Sequence, residues 1–329
     1  MNPRESLQSR TVVITGASSG IGRAAARAFA ERGANLVLAA RRPRALHLVA
    51  NECQRLGVSA IVVPTDVTDA AAMAKVASLA IETFGAIDVW INNAGVGLFG
   101  PFVGADMKTH RRVVETNLFG TMNGAAAVLP HFLSQRRGVL ITNVSIGGLA
   151  PVPFASAYTA SKFGMRGFLA SLRQELVQYP RIRVCGVFPA TIDTPGYQHG
   201  ANVSGIELRP SRPLFPPEKV AETMVALAAR PRDEVTVGWP ARLAKLSYAA
   251  APALTERIVG QMIRGRLKNS GGALNTQGNL FLPVSAGTAA SGGWLESKEP
   301  FPRAAKIAAG GLLVLGAALL LRRAFPPPG

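Results

Sequence analysis

Tyr158 and Lys162 stand four residues apart and carry side chains that together can move a proton. They fall at the start of a predicted helix over 156–179, in which residues at i and i+4 share one face. A phenol with a pKa near 10 works poorly as an acid or base at neutral pH, but a neighbouring ammonium favours the phenolate and lowers that pKa. The pair is therefore sufficient for proton transfer to or from an alcohol oxygen, although surface pairs with this spacing also arise by chance.

A glycine-rich segment follows the first predicted strand and opens a helix; it reads Thr15-Gly16-Ala17-Ser18-Ser19-Gly20-Ile21-Gly22. Glycines in such a place let the backbone turn tightly and approach a pyrophosphate. The phosphates would then lie at the helix N-terminus, against free N–H groups and the positive end of the helix dipole. The segment predicts a dinucleotide site to which Gly16, Ser18, Ser19, Gly20, Ile21 and Gly22 contribute.

The second predicted strand ends at Ala40 and is followed by Arg41 and Arg42. An NAD-preferring site usually carries an acidic residue near this point to bind the ribose hydroxyls, and none is present here. A guanidinium instead stands where a 2′-phosphate would lie. We therefore predict NADP(H) as the cofactor, with Arg41 as the stronger candidate of the two; the alternative is a solvated pair of loop arginines.

Short apolar runs alternate with longer helical patterns through the first 240 residues. The predicted strands cover 11–15, 35–40, 60–63, 87–92, 138–144, 182–188 and 234–237. The helical patterns include 20–32, 69–84, 108–134 and 156–179. Near-continuous apolar strands separated by helices indicate a parallel sheet covered on both faces. We expect an α/β fold with a Rossmann-type, doubly wound, mostly parallel sheet of seven strands in one catalytic domain over 1–240.

Further motifs follow the glycine-rich segment in a characteristic order. Asn92-Asn93-Ala94-Gly95 comes after the fourth strand, Asn117 lies in the next helix, and Ser145 precedes Tyr158 by thirteen residues. With this set the chain resembles the short-chain dehydrogenase/reductase family over residues 8–240. The resemblance implies an NADP-dependent oxidoreductase acting on CH–OH donors, which transfers a hydride between a nicotinamide and a carbonyl or secondary alcohol.

The resemblance also implies a role for each residue of the site. Tyr158 would exchange a proton with the substrate oxygen, Ser145 would orient that oxygen, and Lys162 would lower the tyrosine pKa and bind the nicotinamide ribose. Asn117 would support a water-linked proton relay to Lys162. The remaining implied cofactor contacts are Asp66 at the adenine amine with Val67 beside it, Asn93, Ala94 and Gly95 along the cofactor, and Ile192 and Thr194 at the carboxamide. A helix N-cap is the alternative role for Asp66.

Two other features bear on the site. The family usually has Pro-Gly after the sixth strand, whereas this chain has Pro189-Ala190. Because alanine adopts a positive φ less freely than glycine, the turn is expected to differ slightly. The four histidines, His47, His110, His131 and His199, have no metal-like spacing, so we expect no metal and place them at the surface or in loops.

The composition narrows the classes of partner. The chain has 36 Lys+Arg and 19 Asp+Glu, a net charge of +17, which raises nucleic acid, an anionic membrane or a phosphorylated ligand as partners. No zinc-finger spacing, RNA-binding signature or long basic run is present, so we expect no nucleic-acid partner. Cys53 and Cys185 fall in apolar elements and are expected to be buried free thiols.

The last ninety residues divide into three predicted segments. Residues 241–267 form a basic helical extension, and 268–303, rich in Gly, Ser, Asn, Thr and Pro, form a flexible linker. The alternative for its apolar pieces, 279–284 and 294–295, is docking elsewhere. Residues 304–323 form an apolar helix whose core, 307–321, has no charge and is flanked by basic residues. This pattern is marginal in length for a bilayer but favours a transmembrane anchor; the alternative is an apolar helix packed on the domain or on a partner chain.

Substrate and location follow from these segments. The loop over 195–217 is expected to cover the substrate, and its apolar members together with the anchor suggest a lipophilic carbonyl or alcohol. No secretory signal precedes the domain, so we expect a cytoplasmic catalytic domain tethered to a membrane. The family resemblance implies a homo-oligomer formed through the helices at 108–134 and 156–179. The alternative function is a non-catalytic, membrane-tethered NADP(H)-binding sensor or scaffold, which the intact catalytic set disfavours.

Overall fold

The computed structural model describes residues 7–268 and 272–296. Seven parallel strands form its main sheet, in the order β3-β2-β1-β4-β6-β7-β9. Their bounds are β1 (Thr11–Thr15), β2 (Asn35–Ala40), β3 (Ala60–Pro64), β4 (Val89–Asn92), β6 (Gly138–Asn143), β7 (Ile182–Pro189) and β9 (Glu234–Val237). Two short strands outside it, β5 (Leu98–Phe99) and β8 (Ala201–Asn202), pair with each other. The predicted Rossmann-like, doubly wound sheet is confirmed.

Helices cover both faces of the sheet. Their bounds are α1 (Gly20–Ala30), α2 (Pro43–Gln54), α3 (Ala70–Phe84), α4 (Met107–Val114), α5 (Gly120–Gln135), α6 (Ser156–Glu175), α7 (Gly196–His199), α8 (Pro217–Ala229), α9 (Trp239–Ala250) and α10 (Pro252–Lys268). Helices α1, α2 and α8 pack together, and α3, α5 and the pair α4–α6 form the opposite layer. The central strands are mostly apolar and buried along nearly their whole length, so side chains of both faces are buried and form one hydrophobic cluster on each side.

The order of the strands determines where a ligand can bind. Chain connections run outwards in opposite directions from β1 and β4, which are neighbours in the sheet. This topological switch leaves a crevice at the carboxyl ends of the strands, between the loops that follow them. The glycine-rich segment begins directly after β1, and Asn93 directly follows β4. The fold therefore brings the two motifs to the same crevice.

Two predicted helices differ in detail from the structure. The pattern over 108–134 resolves into α4 and α5 joined by a π-helical turn, Glu115–Phe119. The extension over 241–267 is broken into α9 and α10, because Pro252 cannot continue the hydrogen-bonded ladder of α9 and instead begins α10. The two cysteines are buried free thiols, as expected.

The segment expected to be a flexible linker lies against the domain over 272–296. It has little regular structure, but its backbone is hydrogen-bonded to the catalytic domain at several points, for example from Gly20 N to Ala289 O at 2.9 Å. Composition predicted a free coil here because such sequences carry no periodic apolar face. The docking instead uses backbone carbonyls and N–H groups, which every sequence has.

The predicted C-terminal apolar helix over 304–323 lies outside the described residues. Among the residues that the structure does describe, no helix combines the length and apolarity needed to span a bilayer.

Candidate active site

The loops after the central strands surround a cavity of about 1370 Å³. Nearly all of the sequence-predicted site residues line it; they are Gly16, Ser18, Ser19, Gly20, Ile21, Arg41, Arg42, Asp66, Val67, Asn93, Ala94, Gly95, Ser145, Tyr158, Lys162, Ile192 and Thr194. Gly22 and Asn117 lie behind this wall rather than in it. Residues separated by up to 178 positions in the chain are thus brought to one site by the sheet.

The glycine-rich turn is built so tightly that side chains are excluded from it. Gly16 has φ of +66°, and a Cβ placed there would lie 2.8 Å from the Cα of Ala94. A Cβ at Gly22 would lie 2.2 Å from the carbonyl oxygen of Gly16. Helix α1 begins at Gly20, and Ser19, its N-cap residue, makes no side-chain capping bond. The turn therefore presents the start of α1 to the cavity, where the N–H of Gly20 donates to Ala289 O of the C-terminal segment.

Polar side chains behind the turn fix its position. The Thr15 hydroxyl accepts hydrogen bonds from the backbone N–H groups of Asn93 and Ala94, at 2.9 and 3.1 Å. The Asn93 amide donates to the carbonyl of Thr15 at 3.0 Å and accepts from the Asn143 amide at 2.9 Å. Loops after β1, β4 and β6 are tied together by these bonds, so the floor of the cavity is rigid.

Asn92 faces away from the cavity. Its side-chain oxygen accepts from the indole N–H of Trp90 at 2.9 Å, and its amide donates to the carbonyl of Thr121 at 3.1 Å. It therefore links β4 to α5 and braces the sheet against that helix.

Asp66 lies at the rim of the cavity, after β3. One carboxylate oxygen accepts from the backbone N–H and the hydroxyl of Thr68, and the other accepts from Arg112 at 2.6 Å. Burial would raise the pKa of Asp66, but these hydrogen bonds outweigh it and bring the pKa below its ordinary value. The N-cap of α3 is Asp69, whose carboxylate accepts from Ala72 N, so the alternative N-cap role for Asp66 is wrong.

The two arginines after β2 reach different partners. Arg42 donates from Nε and Nη2 to the Ser18 hydroxyl, at 3.2 and 3.0 Å, and from Nη2 to the Ser19 hydroxyl at 2.6 Å. Arg41 donates to backbone carbonyls of residues 279–281 and lies 4.0 Å from the Asp66 carboxylate. Both guanidinium groups are partly buried, so they are not the solvated loop pair that was the alternative.

Ser145 and Tyr158 bring two hydroxyl groups together. A hydrogen bond with Ser145 counteracts the effect of burial on Tyr158, but burial dominates and holds the tyrosine pKa above its ordinary value. Ser145 also accepts from the backbone N–H of Gly147 at 3.1 Å. Its backbone has φ of 128° and ψ of 161°, a region that is almost confined to glycine. The site therefore holds the serine in a strained conformation that aims its hydroxyl at the tyrosine.

Lys162 lies one helical turn from Tyr158 on α6. Its ammonium nitrogen is 5.4 Å from the centre of the tyrosine ring and 3.4 Å from the carbonyl oxygen of Asn143. Burial lowers the pKa of Lys162 to about 7. The expected lowering of the tyrosine pKa by this ammonium is not seen, because desolvation raises the pKa of Tyr158 and disfavours the charged form of Lys162.

Asn117 is fully buried in the π-helical turn between α4 and α5. Its amide donates to the carbonyl of Val96 and to the Ser161 hydroxyl, both at 3.0 Å, and its oxygen accepts from Val96 N at 2.8 Å. Single π-helical turns within α-helices are frequent at functional sites. The structure thus gives Asn117 a firm place beside α6, while its relay to Lys162 stays a prediction.

The substituted turn after β7 is formed without a left-handed residue at Ala190. Ala190 is not among the described residues with positive φ, and its N–H donates to the carbonyl of Val237 at 2.8 Å. Ile192 forms a bridge with Phe215 on the covering loop. The backbone between β7 and Ile192 therefore forms with alanine at position 190.

Sequence reasoning missed several residues around the cavity. Helix α10 contributes Gln261, Met262, Ile263 and Leu267, and the docked C-terminal segment contributes Asn279, Pro283 and Val284. The only local signal for α10 was its mixed apolar and basic pattern. Two histidines were also misplaced: His110 and His199 are buried, the first stacked on Phe102 and the second at the end of α7.

Comparisons with known proteins agree with this arrangement. The short chain dehydrogenase family profile matches residues 10–201. An uncharacterized oxidoreductase of Bacillus subtilis, YxnA, is 34% identical over 262 residues, which cover 78% of this chain and 73% of that protein.

Two solved structures share the fold. A metagenomic short-chain oxidoreductase in complex with NADP has 32% identity and a TM-score of 0.60, over 70% of this chain and 98% of that one. L-Sorbose reductase from Gluconobacter frateurii, complexed with NADPH and L-sorbose, has 25% identity and a TM-score of 0.63, over 71% and 97% of the two chains. With its glycine-rich turn, its Ser145–Tyr158–Lys162 site and these matches, this chain belongs to the short-chain dehydrogenase family.

Proposed function

We propose that the protein is an NADP(H)-dependent oxidoreductase that interconverts a carbonyl and a secondary alcohol. The observation that carries the proposal is the meeting of Ser145, Tyr158 and Lys162 in one cavity with the glycine-rich turn. The first three supply proton transfer, and the turn supplies a phosphate cradle.

The residues present fit a phosphorylated dinucleotide. The start of α1 and the glycine turn are suited to a pyrophosphate, for which the N–H of Gly20 would exchange its bond to Ala289 O. Arg42, Ser18 and Ser19 form a cationic and hydroxyl cluster suited to a 2′-phosphate. Thr116 lines the cavity, and its buried hydroxyl has no hydrogen-bond partner in the described part of the chain, so a bound ligand could supply one. Both solved relatives described above hold an NADP-type dinucleotide.

When bound, the nicotinamide supplies or accepts the hydride. Tyr158, kept protonated by burial, holds the proton that a reduced carbonyl oxygen needs. Ser145 offers a second hydroxyl to the same oxygen and orients it. Lys162, with its pKa near 7, can donate or accept a proton at neutral pH and so can restore the proton of Tyr158.

The walls beyond the catalytic hydroxyls are mainly apolar. They include Val152, Pro153, Tyr197, Ile206, Leu208, Met262, Ile263 and Leu267, with Glu207, Arg209 and Arg212 also in the lining. An apolar body with one reactive oxygen is the substrate that such a wall favours. We propose a lipophilic carbonyl or alcohol, in contrast to the sugar ketone held by L-sorbose reductase.

The test is NADPH consumption by the purified protein with a panel of apolar ketones and aldehydes and of polar sugar ketones. Tyr158→Phe is the inactive variant, and Tyr248→Phe, which removes a hydroxyl on α9 that bonds to Glu256 at the surface, is the control. Turnover of apolar carbonyls that Tyr158→Phe alone abolishes is expected. Tight NADPH binding with no turnover on any compound would contradict catalysis and favour a nucleotide-binding sensor or scaffold.

Anchoring and assembly are two further parts of the proposal. The apolar sequence over 304–323 supports tethering to a membrane. Flotation of the protein with liposomes, lost on deletion of 304–329, is the expected result.

Exposed apolar residues on the outer layer, Phe119 and Met122, support a homo-oligomer formed through α4–α6. Size-exclusion chromatography with light scattering should give a multiple of 34.5 kDa.

A further inference from the structure

Residues 279–295, here called the strap, follow the length of the proposed dinucleotide site from one end to the other. The strap contacts the loop after β2, then the start of α1, then the turn after β7. In a doubly wound sheet these positions correspond to the adenosine, pyrophosphate and nicotinamide parts of a dinucleotide.

At the adenosine end, the strap is held by two guanidinium groups. Arg41 donates to the carbonyl oxygens of Asn279, Leu280 and Phe281 at 2.5, 3.2 and 3.2 Å. Arg112, which also pairs with Asp66, donates to Leu280 O at 3.1 Å. The strap carbonyls thus accept the N–H groups of arginines that belong to the cofactor site.

Between its ends, the strap crosses the glycine turn. Arg42 donates to the carbonyls of Val284 and Ala286, at 3.3 and 3.1 Å. Gly20 N donates to Ala289 O at 2.9 Å, and Arg23 donates to Thr288 O at 2.7 Å. The strap therefore bonds to the turn that cradles the phosphates.

At the nicotinamide end, one buried carboxylate anchors the strap. Asp193, only 1% exposed, accepts from the Ser291 hydroxyl at 2.7 Å and from the N–H groups of Gly292, Trp294 and Leu295 at 3.0, 3.0 and 3.4 Å. Hydrogen bonds to a charged acceptor are about twice as strong as neutral ones. Asp193 is thus the strongest single attachment of the strap that the described contacts reveal.

The strap leaves a large cavity between itself and the loops of the sheet. With the strap in place the cavity still measures about 1370 Å³, above the roughly 300–1,000 Å³ of an ordinary ligand pocket. Asn279, Pro283 and Val284 line that cavity from the strap side. The side-chain oxygen of Asn279 is buried, and no group in the described residues donates to it. An adenosine donor, such as the 6-amino group or a ribose hydroxyl, would satisfy it.

We propose that the strap is an integral wall of the dinucleotide site, which closes over bound NADP(H), and that Asp193 is the positioning residue that holds it shut. This inference rests on the proposed function. The bound dinucleotide lies between the strap and the sheet, so it leaves only when the strap opens. Weakening the Asp193 anchor therefore speeds cofactor release without touching the catalytic hydroxyls.

Release kinetics test the proposal. Protein loaded with NADPH is mixed with excess NADP⁺, and the loss of NADPH fluorescence gives the release rate. Ser291→Ala removes one anchor bond and is expected to raise the rate ~3–10-fold; Asp193→Asn is expected to raise it ~10–100-fold. Ser171→Ala, which changes an exposed serine whose hydroxyl bonds to Glu175 on α6, is the control and should leave the rate unchanged.

Two outcomes of this experiment overturn the proposal. Release at the wild-type rate in both anchor variants means that the strap does not gate the site. Tighter NADPH binding in the variants means that the strap competes with the cofactor instead of enclosing it. A wild-type protein that binds no NADPH overturns the proposed function and the strap together, so the two failures are distinguishable.

Hydrogen exchange of the unmodified protein gives an independent readout should Asp193→Asn fail to fold. NADPH is expected to slow exchange of the N–H groups of Gly292, Trp294 and Leu295 at least ~10-fold. These N–H groups exchange only when the strap opens, and bound NADPH would make that opening rarer. Amides in the second half of α3, 77–84, away from the proposed cofactor contacts Asp66 and Val67, serve as the reference. Unchanged or faster exchange in the strap on NADPH binding would overturn the proposal.

Discussion

The ammonium nitrogen of Lys162 lies 5.4 Å from the centre of the Tyr158 ring; the lysine is buried, and the tyrosine is half-buried in the wall of the cavity. Desolvation raises the pKa of the tyrosine and lowers that of the lysine, so it favours the neutral form of each. A neutral phenol beside an amine whose pKa is about 7 is a proton donor with a proton source next to it. The arrangement suits reduction, in which the substrate oxygen must gain a proton.

The buried lysine should make stability depend on pH. The pKa of Lys162 falls from 10.5 to about 7 on folding, so between these values the unfolded chain binds more protons and stability rises with pH. Replacement by Met removes this dependence. We expect the free energy of unfolding of the wild type, relative to Lys162→Met, to rise on the order of 4 kcal/mol from pH 7 to 10.5.

Urea denaturation of both proteins across that pH range measures the effect. Lys75→Met, at an exposed position on α3, is the control, and its difference from the wild type should stay constant with pH. A constant difference for Lys162→Met as well would show that the lysine is hydrated in the folded protein.

Two substitutions of Ser145 distinguish the effect of its backbone strain on stability from the effect of its hydroxyl on catalysis. Its φ of 128° is a conformation suited to glycine, so Ser145→Gly should be more stable than Ser145→Ala by about 1 kcal/mol. Both variants lose the hydroxyl that bonds to Tyr158, so both should lose on the order of 100-fold in kcat with apolar carbonyls. Thermal denaturation and steady-state rates test the pair together; an Ala variant as stable as the Gly variant would mean that the serine is not strained.

The arginines after β2 should decide between NADPH and NADH. Arg42 bonds to Ser18 and Ser19, and Arg41 lies beside Asp66, so a 2′-phosphate would meet positive charge at this point. Arg41→Asp and Arg42→Ala should each lower kcat/KM for NADPH at least ~10-fold and change that for NADH little. Arg44→Ala, on the exposed face of α2, is the control. An unchanged NADPH/NADH ratio in Arg41→Asp would show that the 2′-phosphate is bound elsewhere.

The sheet and the catalytic set could be predicted because their signals are local. The strands from Thr11 to Val237 are short apolar runs, and a glycine turn after a strand has one structural use. Tyr158 and Lys162 share a helical face whatever surrounds them. The motif order then brings the loops to one crevice through the rules of parallel sheets.

The apolar pieces 279–284 and 294–295 indicated that the strap could dock, and Leu280 is buried, but the place where the strap binds could not be predicted. Arg41 and Arg42 bond to its backbone carbonyls, which are the same for any residue type. Asp193 finds its partners about one hundred residues away, and nothing near it in sequence indicates them. Composition therefore described the segment as a coil, which is correct for its backbone pattern and wrong for its attachment to the domain.

Two glycines that look alike in the sequence should respond oppositely to alanine. A Cβ at Gly22 would lie 2.2 Å from Gly16 O and 2.6 Å from the Asn93 amide nitrogen, so the turn would have to open. Overpacking of this kind costs typically 1–3 kcal/mol. Gly167, on the exposed face of α6, has nothing within 4 Å of its Cβ position, and alanine there should stabilise the helix by about 1 kcal/mol.

The free energy of unfolding of both variants, together with their NADPH affinity, tests this contrast. Gly22→Ala should lose both stability and NADPH affinity, since the turn that it opens is the one that faces the phosphates. Gly167→Ala should gain stability at unchanged affinity. Retained affinity in Gly22→Ala would mean that the phosphates do not depend on the tight form of the turn, and the cofactor would then have to be held mainly by the arginines and the strap.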